Sequence, residues 1–554
     1  MNGQTAAPSL VQPESAGPAP TDPAPRTGPA DLIVSAGTIH TLDDERPVAE
    51  SIAIRGGVIV AVGSPAETEQ WAGPKTRRAE HPGSTIVPGL TDCHVHVLMG
   101  LDLVRGVDLT DRDRNGVLGL LREAEVALGP GEWLLGWGLD PNVFTAGEIS
   151  GRLFDGFSRP VAARMRDGHS AVANAAALAA AGVTGRERLP GTASVVVDAA
   201  GSPTGYLLEA AAMDLVTGAA PAPSPDEELD GLLAVLEGMA ATGITSAHAL
   251  DFGDGTGELL RRAEERAELP VRLRISPICW PGAGDDEIER IIALQGSGGR
   301  RWCVEGVKLF IDGTVDNGTA WLDEPDVYGE NAASVWHSPE DYERTLHRFI
   351  RAGLWTTTHA IGDGGVRRVL DAIERSGSAG PHRIEHIETL PDDLVPRFAR
   401  LGVAASMQPV HATHHTRADQ TDNWSVRVGL ERTQRGWRCR DLREAGAVLA
   451  LGTDWPITPY DARALMADAR LRRPAGRPEV TPVQPDQALT ALMALEGYTT
   501  HAALSIGGSQ GPGRITPGAP AHLTVFGGDI LELDPDDAAR VDVVATYVDG
   551  VRAR

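Results

Sequence analysis

Two histidines separated by one residue form the strongest chemical motif of this chain. They close the segment PGLTDCHVH at residues 88–96. In an extended strand, residues two apart face the same side, so His94 and His96 can present two imidazoles to one ion. Two ordinary polar histidines at a strand end would have the same spacing. Their position after an apolar run and a Pro-Gly turn favours metal binding.

Matching ligands follow three later apolar runs. His359 ends TTTH (356–359), His386 ends RIEH (383–386) and Asp454 lies in LGTDWP (451–456). In a parallel barrel, the carboxyl ends of all strands open on one face. Four histidines and a carboxylate on that face suit zinc or a similar divalent metal. Each later histidine taken alone is better interpreted as a hydrogen-bonded core residue, but the set predicts a metal site.

Lys308 is the second candidate for unusual chemistry. The chain has 50 Lys and Arg residues, and only Lys75 and Lys308 are lysines. Lys308 lies in the apolar run VEGVKLFI (304–311), where a buried cation is costly. It could pair with a nearby carboxylate or anchor an anionic substrate. A neutral ε-amine could instead take up CO2 as a carbamate that bridges two metal ions, which the permanently protonated guanidinium of arginine cannot do.

The elements that position these residues alternate short apolar strands with amphipathic helices. Eight strands are expected, at residues 84–87, 244–249, 271–278, 304–311, 354–359, 383–386, 403–408 and 448–451. Eight βα units predict an α/β fold with a (β/α)8 TIM barrel. The gap after the first strand is too long for one helix, so an insertion is expected at about 101–224. Residues 161–165 would be a strand of that insertion, and residues 171–181 a helix.

Both ends of the chain have short β runs with Gly turns, which predicts a composite β-sandwich domain from residues 31–86 and 520–554. The barrel would occupy residues 87–519. Residues 1–30 are rich in Pro and Ala, without a basic start and an apolar stretch, so a disordered tail is expected rather than a secretory signal.

Composition narrows the functional classes. The net charge of −26 disfavours nucleic-acid binding, and no segment reads as a membrane span. Four scattered cysteines without a C-x-x-C motif fit a reducing cytoplasm. The expected partner is a small-molecule substrate. The sequence leaves the oligomeric state open, and a homo-oligomer, either a dimer or a tetramer, is possible.

Together the motifs resemble the amidohydrolase superfamily, specifically its YtcJ-like branch of amidohydrolase-3 domain proteins. The resemblance spans residues 31–554. It rests on the following segments: PGLTDCHVH (88–96), DGHSAVANAAAL (167–178), GITSAHAL (243–250), VKLFIDGTVDNGTAWL (307–322), HAIGDGG (359–365), RIEHIE (383–388), ASMQPVH (405–411) and GTDWP (452–456).

The resemblance implies a TIM-barrel metallohydrolase with two zinc ions. By analogy, His94 and His96 would bind the more buried metal, and His359 and His386 the second. A carbamylated Lys308 would bridge the two, and Asp454 would contact the first. A metal-bound hydroxide would then attack a carbonyl carbon, with Asp454 passing a proton to the leaving nitrogen.

Further residues are candidates for contacts with the substrate. His169 would be a catalytic or oxyanion contact, and His411 a substrate contact, although a structural role for either fits the sequence equally well. Asp312 and Asp316 would line the pocket, unless Asp312 caps a turn with Gly313. Trp137 would wall the pocket together with Trp133 and Phe144, unless these aromatic residues form the core of the insertion.

The predicted function is metal-dependent hydrolysis of an amide-type C–N bond, such as that of an N-substituted formamide or a cyclic amide. A deaminase or an ester or lactone hydrolase could use the same site. A metal-binding or ligand-binding barrel without catalysis is the alternative from another class.

Overall fold

The structure is a computed structural model that describes residues 28–554, except 105, 111, 145–148, 167, 191–192 and 508–512. Most of the predicted Pro/Ala-rich tail lies outside these residues. No helix in the described part of the chain is both long enough and apolar enough to cross a membrane.

The described residues form 22 strands and 18 α-helices. The strands are β1 (Leu32–His40), β2 (Val48–Arg55), β3 (Val58–Gly63), β4 (Arg77–Pro88), β5 (Leu90–Val95), β6 (Val107–Asp108), β7 (Leu134–Leu139), β8 (Val161–Met165), β9 (Ser170–Ala173), β10 (Ser194–Val197), β11 (Pro203–Leu208), β12 (Ile244–Ala249), β13 (Arg272–Ile275), β14 (Trp302–Val304), β15 (Val307–Phe310), β16 (Thr356–Ala360), β17 (Arg383–His386), β18 (Ala404–Met407), β19 (Leu449–Leu451), β20 (Leu523–Phe526), β21 (Val543–Val548) and β22 (Val551–Arg552).

The helices are α1 (Pro65–Glu69), α2 (Val97–Val104), α3 (Arg114–Ala127), α4 (Ala175–Ala180), α5 (Ala210–Thr217), α6 (Pro225–Ala241), α7 (Thr256–Arg266), α8 (Asp285–Ala293), α9 (Pro339–Arg351), α10 (Asp363–Ser376), α11 (Val395–Leu401), α12 (Pro409–His415), α13 (Asn423–Val428), α14 (Cys439–Glu444), α15 (Ala462–Leu471), α16 (Ala491–Gly497), α17 (Thr500–Leu504) and α18 (Pro535–Ala538).

Strands from both ends of the chain share one seven-stranded sheet, in the order β22-β21-β20-β4-β1-β2-β3. The pairing of β1 with β4 is parallel, and the other pairings are antiparallel. Strand β1 continues through Ala36-Gly37 with a shift of register. Gly37 suits this position because a Cβ there would lie 3.3 Å from the Ser84 carbonyl oxygen.

The segment between β5 and β12 carries a second, mixed sheet, in the order β10-β11-β9-β8-β7-β6. The strand expected at 161–165 is β8. The helix expected at 171–181 is wrong in its first residues, because Ser170–Ala173 pairs as β9 between β8 and β11. Sheet pairing here overrides the helical preference of alanine. Helix α4 begins only after Asn174, whose side chain accepts a hydrogen bond from the Ala177 amide.

Two parallel sheets form the middle of the protein, β14-β13-β12-β5 and β15-β16-β17-β18-β19. The prediction of residues 84–87 as the first of these strands is wrong, because they belong to β4 and pair with β1 and β20 in the seven-stranded sheet, and β5 takes that place. A parallel bridge joins Val95, at the end of β5, to Trp455 beyond β19. Another joins Ile278, beyond β13, to Lys308 in β15. The architecture is therefore α/β with parallel sheets that meet at both sides.

The strand expected at 304–311 is divided in two. Strand β14 ends at Val304 and β15 begins at Val307, with Gly306 between them at a φ of +78°. That backbone conformation is accessible to glycine without strain. After the break, β15 pairs with β16 and places Lys308 beside Thr357.

Candidate metal centre and its surroundings

His94 and His96 lie at the carboxyl end of β5 with their Nε2 atoms 3.3 Å apart. Asp454, which follows β19, places Oδ1 3.2 Å from each of these nitrogens. The three atoms come from two strands that are distant in sequence and adjacent in space, because the Asp454 amide donates to the His94 carbonyl oxygen at 2.7 Å. This trio is the first candidate metal-binding group.

A second group uses the other oxygen of the same carboxylate. Asp454 Oδ2 lies 3.9 Å from His386 Nδ1 and 3.7 Å from His411 Nε2. The backbones of His386 and Asp454 both have positive φ, +71° and +57°. Such conformations cost free energy in residues other than glycine and persist where the surrounding structure holds them, commonly at functional sites.

The chemistry of these side chains fits a divalent metal. Burial, followed by neighbouring charges, lowers the pKa of His94 and of His386 well below the usual value, so both imidazoles are neutral near pH 7. Burial alone would raise the pKa of Asp454, but its close contact with His96 and nearby positive charges hold that pKa below its usual value. Neutral imidazoles and an ionised carboxylate are the protonation states that metal binding requires.

Several buried atoms of the two groups also lack a hydrogen-bond partner among the described residues. These are His96 Nδ1, His386 Nδ1, His411 Nε2 and Asp454 Oδ1. Buried polar atoms in native proteins normally have hydrogen-bond partners, and a role in binding an ion is one explanation of the exceptions. The residues therefore fit a bound metal on grounds of both protonation and unmet coordination.

Lys308 is fully buried beside the first group. Its Nζ lies 3.5 Å from His94 Nε2 and 5.0 Å from the centre of the Phe310 ring. Burial lowers the pKa of Lys308 to about 8, although the charges of Glu385 and Asp454 oppose the shift. With that pKa about one tenth of the amine is neutral at pH 7, far more than for an ordinary lysine, and carbamate formation needs the neutral form.

His359 lies close to the second group but outside it. Its ring centre is 4.4 Å from that of His386, while its Nε2–H donates to the Gly313 carbonyl oxygen at 3.1 Å. His411 occupies the place in the second group that the sequence suggested for His359. The assignment of His359 as a metal ligand stays a prediction.

The predicted pocket residues are placed differently from one another. The Asp312 carboxylate accepts three backbone hydrogen bonds, from Trp321, Ile361 and Gly362, so it holds the loops around His359. Asp316 Oδ1 accepts a hydrogen bond from Asn423 Nδ2 at 2.7 Å.

The aromatic residues of the insertion lie in its own sheet and core. Trp137 lies half-buried in β7, opposite Asp108 of β6. Trp133 and Phe144 pack against two hydrophobic clusters of the insertion. For these two residues the structure follows the alternative in which they form a core.

His169 reaches from the insertion towards the metal groups. Its ring centre lies 5.1 Å from that of His359, and its Nδ1–H donates to Glu209 Oε2 at 2.9 Å. The Glu209 amide in turn donates to the His169 carbonyl oxygen at 2.7 Å. Burial would raise the pKa of Glu209, but the charge and hydrogen bond of His169 bring it below its usual value, so Glu209 is a carboxylate that orients the imidazole.

A buried network behind His94 was not found by sequence reasoning. His94 Nδ1–H donates to Glu385 Oε2 at 2.6 Å, and Arg383 Nε donates to Glu385 Oε1 at 2.9 Å. Arg383 also donates to His248 Nδ1 at 2.7 Å and to the Cys93 carbonyl oxygen at 3.0 Å. A carboxylate on the far nitrogen of a ligating histidine fixes its tautomer and orientation.

The local signal for this network was the alternation within RIEH. Arg383 and Glu385 are two apart and face the same side of β17. His386 would face the opposite side in a regular strand, but its φ of +71° turns the chain there. Glu385 and His386 can therefore both serve the same site.

Comparison with known proteins agrees with this geometry. The family model described as "Amidohydrolase family" matches residues 82–553. The putative amidohydrolase YtcJ of Bacillus subtilis is 28% identical over 94% of this chain and 98% of its own length. The N-substituted formamide deformylase of Arthrobacter pascens is 24% identical over 94% of this chain and 98% of its own length.

A solved structure has a similar fold. It is that of an uncharacterised metal-dependent hydrolase from Pyrococcus horikoshii OT3, with a TM-score of 0.70 and 24% identity over 91% of this chain and 99% of that one. From the match over residues 82–553 and the full-length similarity to YtcJ, we conclude that this chain belongs to the amidohydrolase family as a YtcJ-like member.

Proposed function

We propose that this protein is a metal-dependent amidohydrolase that cleaves an amide-type C–N bond in a small molecule. Asp454 carries the proposal. Its two oxygens lie between two histidine groups, one towards His94 and His96 and the other towards His386 and His411. A shared carboxylate between two such groups suits a site for two divalent ions, for which zinc matches the N/O ligands.

The proposed scaffold is a (β/α)8 barrel whose fourth strand is interrupted at Gly306. The two bridges, Val95 to Trp455 and Ile278 to Lys308, support closure of the parallel sheets into one barrel. The proposed histidine and aspartate ligands would then lie near or beyond the carboxyl ends of strands, where active sites of this fold are found, and Lys308 would reach them from within β15.

Each side chain has a defined task in this proposal. Divalent ions bound here would polarise a carbonyl and activate a water. Asp454, ionised and buried, would accept a proton and return it to the leaving nitrogen. His169, oriented by Glu209, would contact the oxygen of the carbonyl. Lys308 would bridge the two ions as a carbamate, which its buried position and lowered pKa support.

The proposed type of scissile bond is supported by the similarity to known relatives. One of them is named an N-substituted formamide deformylase, and this supports formamides as the first substrates to test. Cyclic amides follow from the same chemistry.

The test combines elemental analysis with a hydrolysis screen. Purified protein would be assayed for bound metal and then for turnover of N-substituted formamides, cyclic amides, amino-substituted heterocycles, esters and lactones. Two metals per chain and cleavage of an amide C–N bond would support the proposal. Turnover of only esters, or deamination by a protein with one metal, would contradict it. Bound metal with no turnover in any class would favour a binding protein.

A further inference from the structure

Two aromatic rings stack beside the metal centre, outside every group assigned above. Trp280 and Phe310 are nearly parallel, with an angle of 4° between their planes and 5.2 Å between ring centres. We call this pair the Trp280–Phe310 platform. An offset stack of this spacing is the preferred arrangement for aromatic pairs and leaves part of each ring face uncovered.

The platform is continuous with the metal centre at its inner end. Phe310 is two residues from Lys308 on β15, so both side chains face the same side of the strand. The centre of the Phe310 ring lies 5.0 Å from Lys308 Nζ, 5.2 Å from the ring centre of His359 and 6.4 Å from that of His169.

At its outer end the platform reaches solvent. Trp280 follows β13, and the amide of the preceding residue, Cys279, donates to the Lys308 carbonyl oxygen at 2.8 Å. The indole is 45% exposed, which is unusual for the largest apolar side chain. The platform thus forms an aromatic wall that runs from solvent to the reacting centre.

The residues that follow β15 and β17 have a different chemistry from the platform. The segment after β15 carries Asp316, bonded to Asn423, and Asn317, which accepts a hydrogen bond from Tyr206. Glu388 accepts a hydrogen bond from Trp424 nearby in the fold. These segments therefore supply amide and carboxylate groups, in contrast with the flat aromatic faces of the platform.

We propose that the Trp280–Phe310 platform binds a neutral planar aromatic group of the substrate, attached within one or two bonds of the scissile amide. This inference rests on the proposed function and adds the class of substrate. A flat aryl ring gains stacking energy on these faces beyond that of buried area, whereas a puckered aliphatic ring of similar size gains only the area term.

Binding can be tested without any cleavable bond. Acetophenone and cyclohexyl methyl ketone have similar sizes and a carbonyl group, but neither contains a C–N bond. Their affinities for the metal-loaded protein would be measured by calorimetry. We expect the wild type to bind acetophenone about 3- to 10-fold more tightly, although the cyclohexyl compound is the more hydrophobic of the two.

Three variants at one position separate stacking from simple burial. Trp280→Phe should keep the preference for acetophenone because it keeps a flat ring. Trp280→Leu keeps an apolar side chain but removes the ring, and its preference should fall to within about 2-fold. Trp280→Ala should behave as Trp280→Leu with weaker binding of both ketones. The metal content of each variant should match the wild type, because Trp280 is not a proposed ligand.

The same variants would be assayed with formanilide and N-cyclohexylformamide. A preference for acetophenone that depends on Trp280, without cleavage of either formamide or of any cyclic amide in the hydrolysis screen, would uphold the platform and contradict the proposed function. Cleavage of both formamides, with equal ketone affinities in wild type and Trp280→Leu, would uphold the function and overturn the platform.

Discussion

Removal of the charge on Glu385 is the most direct test of the network behind the metal centre. Glu385 and His94 are both fully buried, and the 2.6 Å contact between Oε2 and Nδ1 keeps His94 Nε2 directed at Asp454. The substitution Glu385→Gln keeps the size of the side chain and an acceptor oxygen. It removes the negative charge that stabilises the ligand and compensates Arg383.

The structure allows the effect to be estimated. A charge-assisted hydrogen bond is about twice as strong as a neutral one, so about 1.5 kcal/mol of support for His94 is lost. At about 1.4 kcal/mol per factor of ten, the metal dissociation constant should rise about 10-fold, the lower end of the range for such partners. Loss of the partner also leaves the Arg383 cation buried, which should lower the free energy of unfolding by about 3–5 kcal/mol.

The assay is a competitive zinc titration with a chromophoric chelator, at a temperature where circular dichroism shows that the variant is folded. Glu305→Gln is the matched control, because Glu305 also pairs with an arginine, Arg274, at 2.9 Å, but is 40% exposed and lies outside the network. The control should bind zinc as the wild type does. Equal zinc affinity in Glu385→Gln and wild type would refute the role of Glu385 as the residue that positions His94.

Three further predictions address the site and the fold. Asp454→Asn should lower kcat about 10²- to 10⁴-fold while much of the metal stays bound, and an undiminished kcat would exclude Asp454 as the proton-transfer group. Lys308→Arg preserves charge but cannot form a carbamate, so it should disrupt the two-metal site; two metals and full activity in this variant would contradict the bridging role. Burial lowers the pKa of His382 to about 4. Between pH 6.5 and 4 the unfolded chain therefore binds a proton that the native protein does not, and the free energy of unfolding should fall by about 3 kcal/mol over that range as the pH falls. His382→Gln should lose this component in denaturant titrations between pH 4 and 7, and parallel pH profiles of variant and wild type would contradict it.

The histidines of the candidate metal centre show how much of the site can be predicted from the local spacing of residues. The H-x-H pair could be recognised because strand alternation places His94 and His96 on one face whatever surrounds them. Asp454 could be assigned to the same site because it follows an apolar run predicted as a parallel strand, and the carboxyl ends of parallel strands open on one face. Spacing alone does not choose between His359 and His411 as partners of His386, because His359 lies near the end of β16 and His411 in α12 just after β18, and both carry the same side chain.

The hydrophobic periodicity of the sequence could not predict where the backbone departs from regular strand geometry. The φ of +71° at His386 and the break of the fourth strand at Gly306 both interrupt the alternation from which strand faces are inferred. The start of α4 at Ala175 instead of within 171–174 was decided by pairing of β9 with its neighbours. Such features depend on the sheet that surrounds them, and local propensity carries little information about them.

The sequence alone determined the set of candidate ligands: two imidazoles on one strand face, a later aspartate, and one lysine in an apolar run. Only the tertiary structure decided the partners. It joined Glu385 to His94 across 291 positions. It also stacked Trp280 on Phe310, whereas the sequence had directed attention to Trp137. The reason is physical: covalent geometry sets which way neighbouring side chains point, while contacts between distant residues depend on register and loop closure, which are properties of the whole fold.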